Sequence, residues 1–296
     1  MKQGDTMPEG PEVKRIVERL NTALAGKTMT SLEVIDSNYK RNQMRDEVDE
    51  FMASMPHNID QIQCKGKFIY WTLDGGRWHI WHTLGMSGTW RYRNSSRGVR
   101  LSITADDKTV YYRDTRKFGT FKFFQNNPEG LEKKLNTLGP DMLSEPVPDD
   151  LFIARLRKVN HYNICKAIMN QRVIAGVGNY IKAEALYKAK IYPHAKVEDL
   201  TDDNLRVLNR EIKSVIYSAF ASKGASFRDY VMPEGDIGTY AFKFEVYSKS
   251  ADPYMNRVIR EETPDKRTTH WVIEVQTIGR NTELIEDPLT AQSALV

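Results

Sequence analysis

Cysteine is almost absent. Cys64 and Cys165 are the two in 296 residues, and they lie far apart with no CxxC spacing. This excludes a disulfide framework and a zinc site built from thiolates. Both cysteines are expected to be small buried hydrophobes in a reducing compartment. The six histidines are scattered without a metal-ligand spacing. No apolar run approaches the roughly 18 residues of a membrane span, and the first residues lack the basic-then-apolar order of a secretory signal. An excess of one charge is missing as well. Lys and Arg number 43 against 39 Asp and Glu, a net charge of +4, which permits a nucleic-acid partner without demanding one. There is no internal repeat and no low-complexity stretch. What remains is expected to be an intracellular, soluble protein. At 296 residues it is long enough for two domains at about 150 residues each.

Within the chain, apolar residues recur at Val13, Ile16, Val17, Leu20 and Leu24, one face of a helix, with Pro11 suited to its first turn and Gly26 to its end. Glu9 and Glu12 lie near its positive end. The period then shortens. KFIYWTL (67–73) and WHIWHTL (78–84) read as a hairpin turning at Asp74–Arg77, VRLSIT (99–104) and TVYYR (109–113) as a second, and TFKFF (120–124) as a further strand. A β-sandwich over about 8–125 is expected. A Pro- and Asp-containing linker follows at 139–150, then a helical region to about 223 with Leu205, Leu208, Ile212, Val215, Ile216 and Phe220 on one face and Gly224 as a cap. A glycine-punctuated loop leads to two strands, YAFKFEVYSK (240–249) and RTTHWVIEVQ (267–276), and a frayed tail.

Four places carry candidate chemistry. Ala175-Gly176-Val177-Gly178 is a tight turn into a helix that opens at Asn179, where free N–H groups and a side-chain donor suit a phosphate; an ordinary helix corner capped by Asn179 is the plain alternative. In YYRDTRKFGTFKFF (111–124), basic and aromatic residues alternate as on a nucleic-acid surface, or as on a solvated strand face. Met86, between Gly85 and Gly88, is either an apolar wedge for a base stack or a buried filler. Pro8 follows Met7, so a chain processed after Met7 would present a secondary amine. With a pKa of roughly 8, against about 10.4 for lysine, such an amine is partly unprotonated near neutrality and can attack a sugar C1′. Glu9 could then move protons beside it; otherwise the pair is simply a helix start.

These pieces occur in a telling order: MPEGPEV (7–13), GK (66–67), LGMSG (84–88), RDTRKFG (113–119), AGVGNYIKAEALYKAKIYP (175–193) and KRTTHW (266–271). Together they closely resemble the formamidopyrimidine-DNA glycosylase / endonuclease VIII family of bifunctional DNA repair glycosylases and AP lyases, from Met7 to about Arg280. The resemblance implies an α+β fold: an N-terminal β-sandwich with a long first helix, then a helix–two-turn–helix domain with a finger hairpin. It implies an extension (1–7), a catalytic domain (8–138), a linker (139–149), a DNA-binding domain (150–239) with a lesion-proximal loop (224–239), a finger (240–280) and a tail (281–296). Pro8 as processed N-terminus would be the nucleophile and Glu9 the general acid/base. Lys67 completes the catalytic set by engaging phosphate near the lesion. Asn179 and Arg267 would hold phosphates, while Met86, Arg116 and Phe118 would fill the gap left by an extruded base.

The usual four-cysteine finger is missing, so the resemblance is to the zincless members, with no metal or other cofactor expected. The partner implied is duplex DNA with an oxidised base or abasic site, bound by a monomer. The 224–242 loop resembles the subclass acting on 8-oxoguanine and formamidopyrimidines, whereas resemblance to the zincless members implies oxidised pyrimidines and hydantoins. If Met1 is retained, Pro8 is an ordinary amide, and a damaged-DNA-binding protein without lyase activity is the alternative. An RNA or ribosome binder using only the helix–two-turn–helix part would leave the PEGPE start and Lys67 unexplained.

Overall fold

The structure, a computed structural model, describes residues 7–94, 97–222 and 243–280. The chain opens with α1 (Gly10–Leu24), β1 (Thr28–Val34), α2 (Ser37–Gln43), β2 (Met44–Asp46), α3 (Val48–Ala53), β3 (His57–Lys65), β4 (Phe68–Leu73) and β5 (Trp78–Thr83). It continues through β6 (Gly88–Arg91), β7 (Val99–Ala105), β8 (Lys108–Asp114), β9 (Thr120–Gln125) and α4 (Pro128–Asn136). Then come α5 (Asp149–Arg157), α6 (Ile164–Met169), α7 (Asn179–Lys188), α8 (Asp202–Ala221) and the hairpin of β10 (Ile259–Thr263) and β11 (Arg267–Trp271).

The apolar face of α1 is buried at each of the five positions its periodicity marks, and Gly26 past its end has φ +77°. Both predicted hairpins are present, as β4–β5 and β7–β8. They belong to one nine-stranded sheet in the order β2-β9-β5-β4-β3-β1-β7-β8-β6. β1 and β3 pair through only Thr28–Asn58 and Met29–His57. The two halves of the sheet close over a shared core: Trp71 of β4 lies 5.8 Å from Trp90 of β6, and Trp90 Nε1 donates to His82 Nε2 at 3.2 Å. The sandwich is thus a single sheet folded back on itself. β1 (TMTSLEV) and β3 (HNIDQIQCK) escape the sequence reading because they are polar as well as bulged, between Met29 and Ser31 and between Ile59 and Gln61; β7 is bulged too, between Val99 and Leu101, but Leu101, Ile103 and Ala105 keep its alternation. A bulge breaks the two-residue alternation by which a strand is recognised.

A second core gathers α5, α6, α7 and α8, with Leu205, Leu208, Ile212, Val215 and Ile216 of α8 all buried. The proposed cap Gly224 and the 224–242 loop lie outside the described residues, as do the 281–296 tail and residues 1–6; α8 ends at Ala221 with Ser222 as its cap. The 139–150 stretch, expected as a linker, is buried at its start and exposed at its end. Asp141 and Met142 are buried, and Asp141 Oδ2 accepts the Gly66 N–H at 2.9 Å.

The strand expected at 240–249 is absent from its described part, 243–249. The N–H groups of Glu245, Val246 and Tyr247 all point at the carboxylate of Glu184, at 3.0, 3.0 and 2.7 Å. Three successive donors aimed at one anion form a nest; in a strand they would alternate between opposite sides. The partner of β11 is instead β10, paired from Ile259–Trp271 to Thr263–Arg267. β11 stops at Trp271 because Gln276 folds back, its Oε1 accepting the Val272 N–H at 2.9 Å.

Candidate active site

The two cores meet where the glycines are. Gly10 N–H donates to the Gly176 carbonyl at 2.9 Å, and a Cβ on Gly66 would lie 2.7 Å from both Ala175 Cβ and Gly176 N. Gly66 has φ +59° and Gly176 φ +99°, so both positions favour glycine for conformation, and Gly66 for space as well. This contact brings the start of α1, the β3–β4 turn and the turn before α7 onto one spot, which joins Pro8, Glu9, Lys67 and Asn179.

Glu9 caps α1 with its backbone, its N–H donating to Glu12 Oε2 at 2.9 Å. Its side chain crosses to α7. Oε1 accepts the Tyr180 N–H at 2.8 Å and Oε2 the Ile181 N–H at 3.3 Å. The α7 N-terminus, which the sequence reading offers to a phosphate, is therefore taken at these two donors by an internal carboxylate. Gly178 makes the room: a Cβ there would lie 2.2 Å from Glu9 Cδ.

Burial pushes the Glu9 carboxyl up to about 7, Glu12 adding to the rise while Lys67 and the two N–H donors oppose it. The fully buried Glu12 is held by the Tyr180 hydroxyl at 3.1 and 3.2 Å. Lys67, half-buried in the β3–β4 turn, is pushed below the usual lysine range by burial and by the Arg267 charge, against the pull of Glu9 and Glu12. Pro8, Lys67, Leu84, Gly85, Lys134 and Gln171 line a cavity of about 350 Å³. An apolar wall, three lysines (Lys65 is the third) and Pro8 thus share one space.

The remaining candidates fall into two groups around it. Met86 sits in the β5–β6 turn; Arg116 and Phe118 are exposed on the loop between β8 and β9, with the guanidinium 5.5 Å from the Phe118 ring centre. The two loops lie back to back, since a Cβ on Gly85 would be 2.5 Å from the Phe118 carbonyl carbon. Buried Asp114 ties them: it accepts from the Ser87 hydroxyl at 2.5 Å, Lys117 N–H at 3.1 Å and Gly119 N–H at 2.8 Å. On the other side, Asn179 Nδ2 donates to the Thr268 carbonyl at 2.9 Å, and Arg267 stands exposed at the first residue of β11.

Sequence reasoning places Glu12 at a helix start, Gly178 in a turn and Asp114 among bases without reaching their partners, and it does not reach Tyr180 or Tyr247, the last of which is buried against Phe244 and His270. Each acts through a partner far along the chain. Only Asp114, a lone acid among bases, carries a local signal of its partners.

Three family models cover the chain in order: the formamidopyrimidine-DNA glycosylase N-terminal domain at residues 7–121, its H2TH domain at 138–231 and its C-terminal domain at 235–277. The formamidopyrimidine-DNA glycosylase of Bacillus subtilis strain 168 is 30% identical over 279 residues, spanning 92% of this chain and 99% of the relative. The chain belongs to the formamidopyrimidine-DNA glycosylase family. It is accordingly a DNA-binding repair glycosylase by type. The enzyme of the same name from the Wolbachia of Brugia malayi is 30% identical over 253 residues, covering 83% and 90% of the two chains. Among solved structures, the MutM (Fpg) protein of Thermus thermophilus superposes with a TM-score of 0.80 at 26% identity, over 92% of this chain and 100% of that one. A Lactococcus lactis Fpg mutant in complex with Fapy-dG-containing DNA gives 0.80 at 23% identity, over 91% and 99%, a likeness of fold.

A zinc ion in the finger, as four-cysteine members of the formamidopyrimidine-DNA glycosylase family would hold it, does not fit the donors present. The hairpin residues 259–271 contain no cysteine, and no cluster of three or more His, Cys, Asp or Glu that could hold a metal occurs among the described residues. No helix among them is long and apolar enough to cross a membrane.

Proposed function

We propose that this glycosylase, processed to begin at Pro8, excises oxidised bases through a proline Schiff base and then cleaves the abasic site. The observation that carries the reading is the Glu9 carboxyl. It is buried behind the cavity that Pro8 lines, with a pKa of about 7 and Lys67 near enough to shift it. A group balanced between its two forms near neutrality suits a proton shuttle.

The Pro8 nitrogen attacks C1′ of an extruded nucleotide. The glycosidic bond breaks, and the base departs with a proton. Glu9, in its protonated form, gives a proton to the sugar ring oxygen as the ring opens to an iminium. Loss of a C2′ proton expels the 3′-phosphate, and a second elimination expels the 5′-phosphate. Water hydrolyses the iminium and regenerates the amine. Lys67, Asn179 and Arg267 hold backbone phosphates, while Met86, Arg116 and Phe118 fill the vacated stack. The chain divides for this purpose into the domains and the metal-free finger given by the sequence reading, and works as a monomer on duplex DNA. The name of its relatives favours formamidopyrimidine lesions, and the resemblance of the 224–242 loop adds 8-oxoguanine.

Borohydride trapping tests this. Protein beginning at Pro8, verified by intact mass, should yield a covalent adduct with an abasic or 8-oxoguanine duplex, and Pro8→Gly should lose most of it. Binding without an adduct from the processed chain would identify a damaged-DNA binder instead. Full trapping by a verified Met1-starting chain would remove Pro8 as the nucleophile.

A further inference from the structure

Three residues beyond Asn179 on α7, Lys182 reaches the turn of the β10–β11 hairpin. Its Nζ lies 2.6 Å from Asp265 Oδ2, and the two side chains are 0% and 5% exposed. The second Asp265 oxygen, Oδ1, is 2.6 Å from the Thr263 hydroxyl. That hydroxyl is also 3.0 Å from the Arg267 carbonyl oxygen and 2.6 Å from the Thr269 hydroxyl. The next carbonyl, that of Thr268, accepts from Asn179. We propose that the Lys182–Asp265 pair is a positioning device for the phosphate clamp, fixing Arg267 on the hairpin relative to Asn179 on the helix. The inference rests on the phosphate roles proposed above for those two residues.

Stability alone does not account for the pair. Removing two charges this fully from water offsets most or all of their attraction, and apolar replacements of similar volume often serve the fold equally well. The surrounding segment is moreover anchored elsewhere on the same helix. Glu184 takes the N–H groups of residues 245–247, and the Tyr187 hydroxyl donates to Asp252 Oδ2 at 3.0 Å. What those anchors do not fix is the hairpin turn, where Asp265 stands two residues before Arg267. An exposed arginine on an untethered turn would have to be ordered by the DNA itself, at an entropic cost that falls on affinity. A buried, charged and directional contact beneath the turn removes that cost in advance.

The test is a double-mutant cycle between the pair and Arg267. It is read as affinity for a duplex holding a tetrahydrofuran abasic analogue, at several salt concentrations. Arg267→Ala in the otherwise native protein should weaken binding about tenfold and lower the salt slope by about one phosphate contact. The Lys182→Met/Asp265→Leu protein should melt within about 3 °C of the native one, bind about tenfold more weakly, and show the same reduced slope. Adding Arg267→Ala to it should then change almost nothing. Should that double replacement not fold, Asp265→Asn, nearly identical in shape, takes its place in the cycle with the same expectation. A full tenfold effect of Arg267→Ala in both backgrounds would overturn the inference and leave the proposed function standing. Native protein that does not prefer the abasic duplex over an undamaged one would overturn both.

Discussion

At the scale of single residues, Glu9 is defined by its surroundings more than by its place in a motif. Its carboxylate receives two N–H donors, which favour the charged form, yet burial and Glu12 outweigh them. The balance depends on the missing side chain of Gly178. That residue has φ −132° and ψ −159°, extended backbone that alanine adopts freely. Gly178→Ala therefore carries no conformational penalty, and its effect is the methyl group placed 2.2 Å from Glu9 Cδ. Glu9 must leave the α7 N-terminus. We expect single-turnover base excision to fall by about 100-fold or more, within the range of a lost general acid, while abasic-duplex affinity stays within about threefold. An unchanged rate would mean that the position of Glu9 against α7 is irrelevant to the chemistry. Pro8, Glu9 and Lys67 were legible as motif residues. That Glu9 occupies the helix start was not, because its donors come from residues about 170 positions away, at Tyr180 and Ile181.

At the scale of elements, the strands with clean alternation or dense aromatics, β4, β5, β7, β8 and β9, are readable directly. The polar, bulged β1 and β3 and the short β2 and β6 are not. The stretch after residue 242 shows the opposite error: KFEVY (243–247) has the composition of a strand, but Glu184 collects the N–H groups of residues 245–247 and turns it. Composition reports what a segment tolerates, and a buried anion on a neighbouring helix decides what it does. The two loops bearing Met86, Arg116 and Phe118 depend on Asp114 in the same way. Asp114→Ala would orphan the Ser87 hydroxyl and the N–H groups of Lys117 and Gly119. Hydrogen bonds to a buried charge contribute about 1.5–3 kcal/mol each in favourable cases, and the loss of several should destabilise the protein by about 3 kcal/mol. Thermal melting measures this. Because both loops loosen together, affinity for abasic duplex should fall by about tenfold in protein that remains folded, checked at a temperature well below its midpoint.

At the scale of the whole molecule, buried titratable groups pull stability in two directions with pH. His82 lies between the halves of the sheet, stacked 4.0 Å from Phe121, and accepts from Trp90 Nε1 while its Nδ1 faces the Thr120 carbonyl at 2.9 Å. Burial pushes its pKa down to about 3, and burial lowers His79 and His270 as well. Below about 6.5 the unfolded chain takes up protons that the folded protein refuses. Stability from these histidines is therefore complete above about pH 6.5 and is lost as pH falls towards 3, with His82 alone accounting for at most about 5 kcal/mol. Glu9 acts with the opposite sign. Its folded pKa of about 7 exceeds the ordinary 4.5, so its contribution is complete below about pH 4.5 and disappears as pH rises through 7. Between about pH 4.5 and 6.5 the two slopes oppose each other, so the rise in melting temperature towards neutrality is shallower than the histidines alone would give. Glu9→Gln, neutral throughout, separates the two contributions: it should steepen that rise between about pH 4.5 and 7 and leave the slope below about pH 4.5 unchanged, while losing base excision. A slope between about pH 4.5 and 7 equal to that of the native protein would place the ionising group elsewhere. The steeper rise would show that the repair enzyme keeps its proton shuttle at the expense of its own stability at working pH.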